Sequence, residues 1–407
     1  MENFKNLPII MCSMSRWDSP LSSAAYSLAK ELSKTNQVFY FDYPYTIKDY
    51  FVEKHTPEVT RRKAALLKGK DIYTSVPGLG ENFKAVTPKA MLPFYFLPPG
   101  PVYDQVLKIN NKRFFKTVKQ ILKDYGFTDY IFWNSFCPFY GFEIPKGFSP
   151  TYFVYQSRDD LRAIPELANH GPKYERIAAK NADLVITTST RLHEILEAES
   201  GREVHLLPNA AHTSLFRKTV EETDERPNDF PEKGRKVVGY IGNIGPRMDM
   251  DLMDKLLKAY ADVDFVMIGP DNISQYGGEE LKKYKNLHFL GSKKLEQLPD
   301  YLRYMDATII PFVKDAQTAS IYPLKLNEQL AAGRAIVTTN FSKDVQHFED
   351  VVYVSENHED FIGKVNKAIH DNSEEAISTR VKKSEGNAWS DRVNLFWELL
   401  GNSKRKK

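Results

Sequence analysis

Residues 318–333 read TASIYPLKLNEQLAAG, and two short apolar runs flank them, ATII at 307–310 and AIVTT at 335–339. Both runs have the length and β-branched content of buried strands, and residues 323–332 carry a helical pattern between them. This is one strand–helix–strand unit of a doubly wound α/β domain. Pro323 suits the first helical turn, where its missing N–H is not needed, and Gly333 suits the C-cap. The start of such a helix offers free N–H donors and a partial positive charge. Ser320 and the backbone N–H groups of Ile321 and Tyr322 therefore form a candidate phosphate site. Lys325 adds a full charge in a turn where it opposes the helix dipole. The carboxylate of Glu328, a turn further on, can accept two hydrogen bonds from a ribose diol. Taken alone, Lys325 and Glu328 also read as a solvated i,i+3 pair.

Further strand-like runs lie at 237–241, 264–268, 287–290 and 351–354, with helical patterns at 251–261, 295–304 and 361–370. The first half repeats the alternation less regularly. Strands are expected at 8–14, 38–43, 130–133, 152–155, 184–188 and 204–207, and amphipathic helices at 21–32 and 102–125. The polar segment 218–236 reads as a linker. The expected domains are 1–217, 218–380 and a C-terminal helical segment, 381–407, in which Trp389 anchors a return to the first domain. The tail 404–407, KRKK, is expected to fray.

With 407 residues, 42% hydrophobic and 27% charged, the chain is an ordinary folded protein of two or three domains. A formal charge of +3 gives no argument for nucleic acid. Two cysteines, Cys12 and Cys137, exclude a disulfide framework and read as buried thiols in a reducing compartment. No run approaches a membrane span, and residues 1–8 do not read as a signal peptide, so a cytoplasmic protein is expected.

The segment YPLKLNEQLAAGRAIVTT, 322–339, resembles the P-x-K-x-x-E-x-x-A-x-G-x-P-V-V signature of the retaining family-four glycosyltransferases, group 1. It is especially similar to enzymes of bacterial cell-surface polysaccharide synthesis of the teichuronic-acid type. Other pieces follow in the family's order: NADLVITTS at 181–189, VHLLPNAAHTSLF at 204–216, VVGYIGNI at 237–244, DFVMIGP at 264–270, LHFLG at 287–291 and DYLRYMDATIIPF at 300–312. The resemblance covers 181–339 well and the first 180 residues loosely. It implies a GT-B fold, two Rossmann-like doubly wound domains facing across a cleft, the first for acceptor and the second for a nucleotide-sugar donor. By position, Glu328 would bind the ribose. Ser320, Ile321 and Tyr322 would hold the pyrophosphate, Gly242 and Asn243 would approach the phosphates, and Gly291 and Ser292 would border the base. Two departures stand out. Ser320 occupies the place of a frequent second glutamate. Asn243 and Met248 stand where the family often has Arg and Lys, so Lys325 and Arg247 are the candidate replacements for that charge.

Loops after first-domain strands are the acceptor candidates. Arg16, Trp17 and Asp18 follow the first strand; an Arg can hold a phosphate and a Trp can stack on a sugar. They read equally well as a helix-start loop. Asp159, in QSRDDL after YFVY, is a candidate base or acceptor contact, or a first-turn acid. The basic residues between Arg61 and Lys70 and the apolar run 91–97 suggest a peripheral membrane patch reaching a lipid-linked acceptor at the inner face. Individually they read as a solvated helix and a core strand. The expected chemistry is metal-free retaining transfer, with the leaving diphosphate met by the helix start and Lys325. Asp249 and Asp251 have a metal-like spacing but open a helix and read as capping. A nucleotide-sugar epimerase and a non-catalytic nucleotide-sugar-binding subunit remain the rival readings.

Overall fold

The computed structural model describes residues 4, 6–19, 23–222 and 225–403. Expectations for residues 20–22, including the helix start at 21, and for the tail 404–407 lie outside the described residues. The chain divides into two compact units, residues 1–208 with 392–407, and residues 209–391.

In the first unit the described strands are β1 (Ile9–Ser13), β2 (Val38–Phe41), β3 (Tyr73–Ser75), β4 (Phe83–Val86), β5 (Ile131–Ser135), β6 (Tyr152–Ser157), β7 (Leu184–Thr187) and β8 (His205–Leu206). They form one sheet in the order β3-β4-β2-β1-β5-β6-β7-β8, parallel except for the β3–β4 pair. The central strands are buried throughout, which is why they read as continuous apolar runs rather than alternating ones. The long helix Pro101–Tyr125 packs Leu107, Phe114, Val118 and Ile121 into the core, and Gly126 closes it in the left-handed conformation. Cys12 and Cys137 are buried free thiols in the same core. Residues 392–407 also belong to this unit: Phe396 lies 4.2 Å from the fully buried ring of Trp133, and Trp397 stacks on Phe4.

In the second unit β9 (Val237–Ile241), β10 (Asp264–Ile268), β11 (Leu287–Phe289), β12 (Ala307–Ile310), β13 (Ala335–Thr339) and β14 (Tyr353–Ser355) form an all-parallel sheet. Its order, β11-β10-β9-β12-β13-β14, is that of a doubly wound dinucleotide-type sheet.

Three expectations are corrected here. The boundary falls at 208/209 rather than 217/218, because the helix Thr213–Glu221 packs within the second unit, with Phe216 buried against Leu298 and Tyr301. Residues 218–236 are not a free linker. Phe230 is buried with Arg226 stacked over it at 4.8 Å, and Asp229 accepts a hydrogen bond from the Tyr301 hydroxyl at 2.8 Å. The second boundary falls at 391/392, which leaves Trp389 in the second unit, 6.4 Å from the His212 ring.

Candidate functional site: an anion and diol site at the second sheet's switch point

β9 and β12 are neighbours whose onward connections run to opposite edges of the sheet. Their carboxyl ends therefore open a crevice between diverging loops, the place where such sheets bind ligands. The loop after β9 supplies Gly242, Asn243 and Arg247; the chain after β12 leads to the helix Leu324–Ala331. The two loops are stitched together. Asp249 N–H donates to Pro311 O at 2.8 Å, and Val313 N–H donates to Arg247 O at 2.9 Å.

Lys325 reaches from the helix start to donate its Nζ to Ile241 O, the last carbonyl of β9, at 2.7 Å. This contact requires Gly242. A Cβ there would stand 2.8 Å from Lys325 Nζ and 2.9 Å from its Cε, in a backbone with φ +156°. Gly269, after β10, closes the other side. Its N–H donates to Gly291 O at 3.0 Å, and Gly242 N–H donates to Ile268 O at 2.8 Å. Asn243 is exposed and accepts from Asn272 Nδ2, while Ser292 is exposed beside Gly291.

The electrostatics are unusual for a surface helix. Lys325 and Glu328 keep some contact with solvent, yet enough protein surrounds them to disfavour both charges. Burial pushes the Glu328 carboxyl up to about 7, with the Lys325 ammonium pulling the other way. Burial lowers the Lys325 ammonium, which Glu328 opposes and Arg247 reinforces. The Glu328 carboxylate and the Arg247 guanidinium make no side-chain hydrogen bond or ion pair among the described residues. Two cations and a carboxyl thus converge on one crevice, Glu328 and Arg247 without a side-chain partner among the described residues and Lys325 with one of its donors engaged by Ile241 O.

The helix start needs a refinement. It has no side-chain cap, and Tyr322 N–H makes no hydrogen bond among the described residues, so a donor remains open. The expectation for Ile321 N–H is corrected, because it already donates to Thr318 O at 3.0 Å, closing a 3₁₀ turn. Ser320 is buried and donates its hydroxyl to Gln317 O at 2.7 Å, so it builds the same turn. Asp249 is the N-cap of its helix, accepting from Leu252 N–H at 2.9 Å, and its other oxygen lies 2.9 Å from His358 Nε2.

In the first unit the acceptor candidates are partly corrected. Asp18 is committed, because Arg62 binds it with two hydrogen bonds of 2.8 Å. Arg62 is itself buried and donates its Nε to Asp42 at 2.8 Å. Burial alone would raise the Asp18 carboxyl, but the Arg62 bonds and charge hold it below its usual range. Trp17 is pinned by its backbone N–H to Asp42 and by Arg61 and Arg62 at its ring. Arg16 donates Nε to Tyr43 O and stacks over Tyr45 at 3.6 Å. Its Nη groups make no hydrogen bond among the described residues. Asp159 lies two residues beyond β6, in a loop held by Arg162, which binds Asp160, Glu175 and Glu199. It precedes the next helix, Pro165–Ala168, by several residues, so the first-turn reading does not hold. Glu175 and Asp42, which organise these loops, carry no sequence signal, since their partners are 13 to 45 residues away.

Glu328 carries a testable consequence. Between pH about 4.5 and 7 the folded chain holds a proton there that the unfolded chain has lost. Stability therefore falls as pH rises through that window and is level above it. The cost is on the order of 2 kcal/mol, allowing for partial exposure to water. Glu328→Gln is expected to raise the melting temperature of the ligand-free protein at pH 8 and to flatten its pH profile. The same change should weaken nucleotide binding by roughly tenfold, the effect of losing a charged hydrogen bond. Calorimetry from about pH 5 to about pH 8 reads both.

Two doubly wound, largely parallel sheet units, the second with a polar crevice at its switch point, define the GT-B architecture. Solved structures agree. Sucrose-phosphate synthase from Thermosynechococcus elongatus matches with a TM-score of 0.65 at 13% identity, over 98% of this chain and 100% of that one. Anabaena HepE, in complex with UDP and glucose, matches with a TM-score of 0.61 at 14% identity, over 97% and 100%. Residues 235–371, all within the second unit, match the family model described as glycosyl transferases group 1. A curated relative, the putative teichuronic acid biosynthesis glycosyltransferase TuaH of Bacillus subtilis (strain 168), is 29% identical over 205 residues. The match spans 48% of this chain and about half, 51%, of the relative.

Proposed function

We propose that the protein is a glycosyltransferase that moves a sugar from a nucleotide diphosphate sugar to a glycan or lipid-linked acceptor. The observation that carries this reading is the meeting in one crevice of Glu328 and Arg247, whose side chains make no hydrogen bond or ion pair among the described residues, with Lys325, which keeps donors beyond its bond to Ile241 O. A carboxylate suits a ribose diol, and two cations suit a diphosphate. The likeness to proteins described as glycosyltransferases supports it. In this reading the leaving diphosphate is stabilised by Lys325, Arg247 and the Tyr322 N–H without a metal, transfer retains the anomeric configuration, and Arg16, Trp17 and Asp159 meet the acceptor. The setting is cell-surface polysaccharide synthesis at the inner face of a membrane.

The test is a thermal-shift panel with UDP, GDP, dTDP, CDP and ADP. A nucleotide at a hundredfold excess over its Kd raises apparent stability by about 2.7 kcal/mol. One base is expected to stand out. No shift with any nucleotide removes the donor site and the reading with it.

The turn built by Ser320 where the family often has a glutamate favours a second reading, a nucleotide-sugar-binding subunit without turnover. Donor incubated with a lipid-linked acceptor extract separates the two: transfer supports the first, and nucleotide binding without transfer the second.

A further inference from the structure

The first unit leaves a set of apolar side chains in water, and they are neighbours. The helix Ile47–Glu53 is held by a capping box, with Thr46 and Asp49 exchanging hydrogen bonds, and it buries no residue. Its outer face carries Ile47, Phe51 and Val52, the last two 63% and 72% exposed. Ile47 N–H donates to Met91 O at 2.8 Å, which ties this helix to the apolar run 91–97. That run is not a core strand as the sequence suggests. Met91 and Phe94 anchor it and the Tyr95 hydroxyl turns in to the Tyr43 hydroxyl, while Phe96 points outward, 70% exposed. Asn110 then clamps Leu92 with two hydrogen bonds, fixing the run against the long helix Pro101–Tyr125. The exposed face of that helix continues the apolar set with Val102 and Ile109.

Beyond them the same helix changes character. Lys108, Lys112, Lys116, Lys119 and Lys123 recur at three- and four-residue spacing and are all exposed, so they form one stripe. None makes an ion pair or hydrogen bond among the described residues. Of the nearby acids, Asp49 is held by the capping box, Asp104 by Lys173 and the Tyr174 hydroxyl, and Asp124 by the Tyr73 hydroxyl, while Glu143 lines the same cavity as Lys108 and Lys112. Lys108 and Lys112, with Lys146, also line a cavity of about 660 Å³ floored by Phe115 and Phe148. The Arg61–Lys70 stretch contributes less than its sequence suggests, because Arg62 is buried in its ion pairs.

Exposed aromatic and aliphatic tips beside an unpaired lysine stripe match the two layers of an anionic bilayer surface, acyl boundary and headgroups. A polyanion such as nucleic acid uses the lysines but gives Val52, Phe96 and Val102 nothing to bury against. We infer that this face of the first unit docks on anionic lipid bilayers, inserting Phe51, Val52 and Phe96 while Lys108, Lys112, Lys116, Lys119 and Lys123 meet phosphate headgroups. This deepens the membrane setting of the proposed function but does not depend on the donor site.

The test uses the full chain with phosphatidylcholine vesicles, plain or with about 30 mol % phosphatidylglycerol, at about 0.1 M salt. Binding to the anionic vesicles is expected, falling with added salt and weak on the neutral ones. Each lysine near such a surface contributes roughly fivefold in partition. Lys112→Glu with Lys116→Glu should therefore lower binding at least about tenfold. Phe51→Ser with Phe96→Ser should lower it comparably. These side chains lie outside the core, so melting temperature and nucleotide-induced shifts should stay unchanged, which separates this failure from failure of the donor site. Phe96→Trp should shift its emission to the blue when anionic vesicles are added. Absence of vesicle binding by the unaltered chain overturns the inference. So does binding to a double-stranded oligonucleotide that the lysine reversals abolish, if neither serine change affects vesicle binding.

Discussion

Lys325→Ala is expected to lower turnover by about two to three orders of magnitude, the usual effect of removing one donor aimed at developing charge. Timing of the charge decides the effect. The terminal phosphate gains negative charge as its bond to the sugar breaks, so a contact to it is stronger in the transition state than in the bound donor. kcat should therefore fall much more than KM rises. The fold should tolerate the change. The side chain gives up one hydrogen bond to Ile241 O, and a cation that burial already disfavours leaves with it. A second signature separates this role from a merely structural one. Lys325 is the charge that pulls the Glu328 carboxyl down, so in the alanine variant the midpoint for nucleotide binding should move above pH 7. Near-normal turnover in a folded variant would remove Lys325 from the leaving-group role and leave Arg247 as the remaining candidate.

Gly269→Ala should be the most disruptive single methyl in the second unit. A Cβ at this position would stand 1.8 Å from Gly242 O and 2.7 Å from its carbonyl carbon, both backbone atoms that no rotamer change can clear. The φ of +147° adds strain for any side chain. The loops after β9 and β10 must part, at a cost of about 3 to 5 kcal/mol, and melting should drop by roughly 10 °C. Parting them also moves Gly242 off Lys325, so nucleotide shifts should vanish even at temperatures where the variant is folded. Gly277→Ala is the control. It has a φ of +79° with nothing within 4 Å of the added methyl, so it should cost about 1 kcal/mol and spare binding. Equal effects from the two would show that backbone strain, not the Gly242–Gly269 approach, governs the site.

The second unit was legible because its strands are short, buried on both faces and bounded by turn residues. VVGYI, DFVMI, ATII and AIVTT stand out from the helices between them, and all four are fully buried strands. Lys325 and Glu328 could be read from spacing within one helix. The placing of Arg247 beside Lys325 could not, because it depends on hydrogen bonds between two loops joined only by the fold. The first unit hid more. β3 and β4 are three and four residues long at a sheet edge, too short for a periodic pattern. Asp18 looked open in sequence because its partner is 44 residues away. The apolar run 91–97 has a strand's composition, yet it leads into a turn with two of its seven residues, Tyr95 and Phe96, exposed, a distinction composition does not carry.

The return of residues 392–407 to the first unit makes that unit discontinuous, whereas the second, 209–391, is one uninterrupted stretch. During synthesis the second unit has all its strands before Phe396 leaves the ribosome. The first, although it begins earlier, must wait with the site for Phe396 beside Trp133 uncovered. Vectorial order is thus inverted: of the two units the one begun first is completed second, and a nascent chain carries an open aromatic seam until Phe396 has emerged.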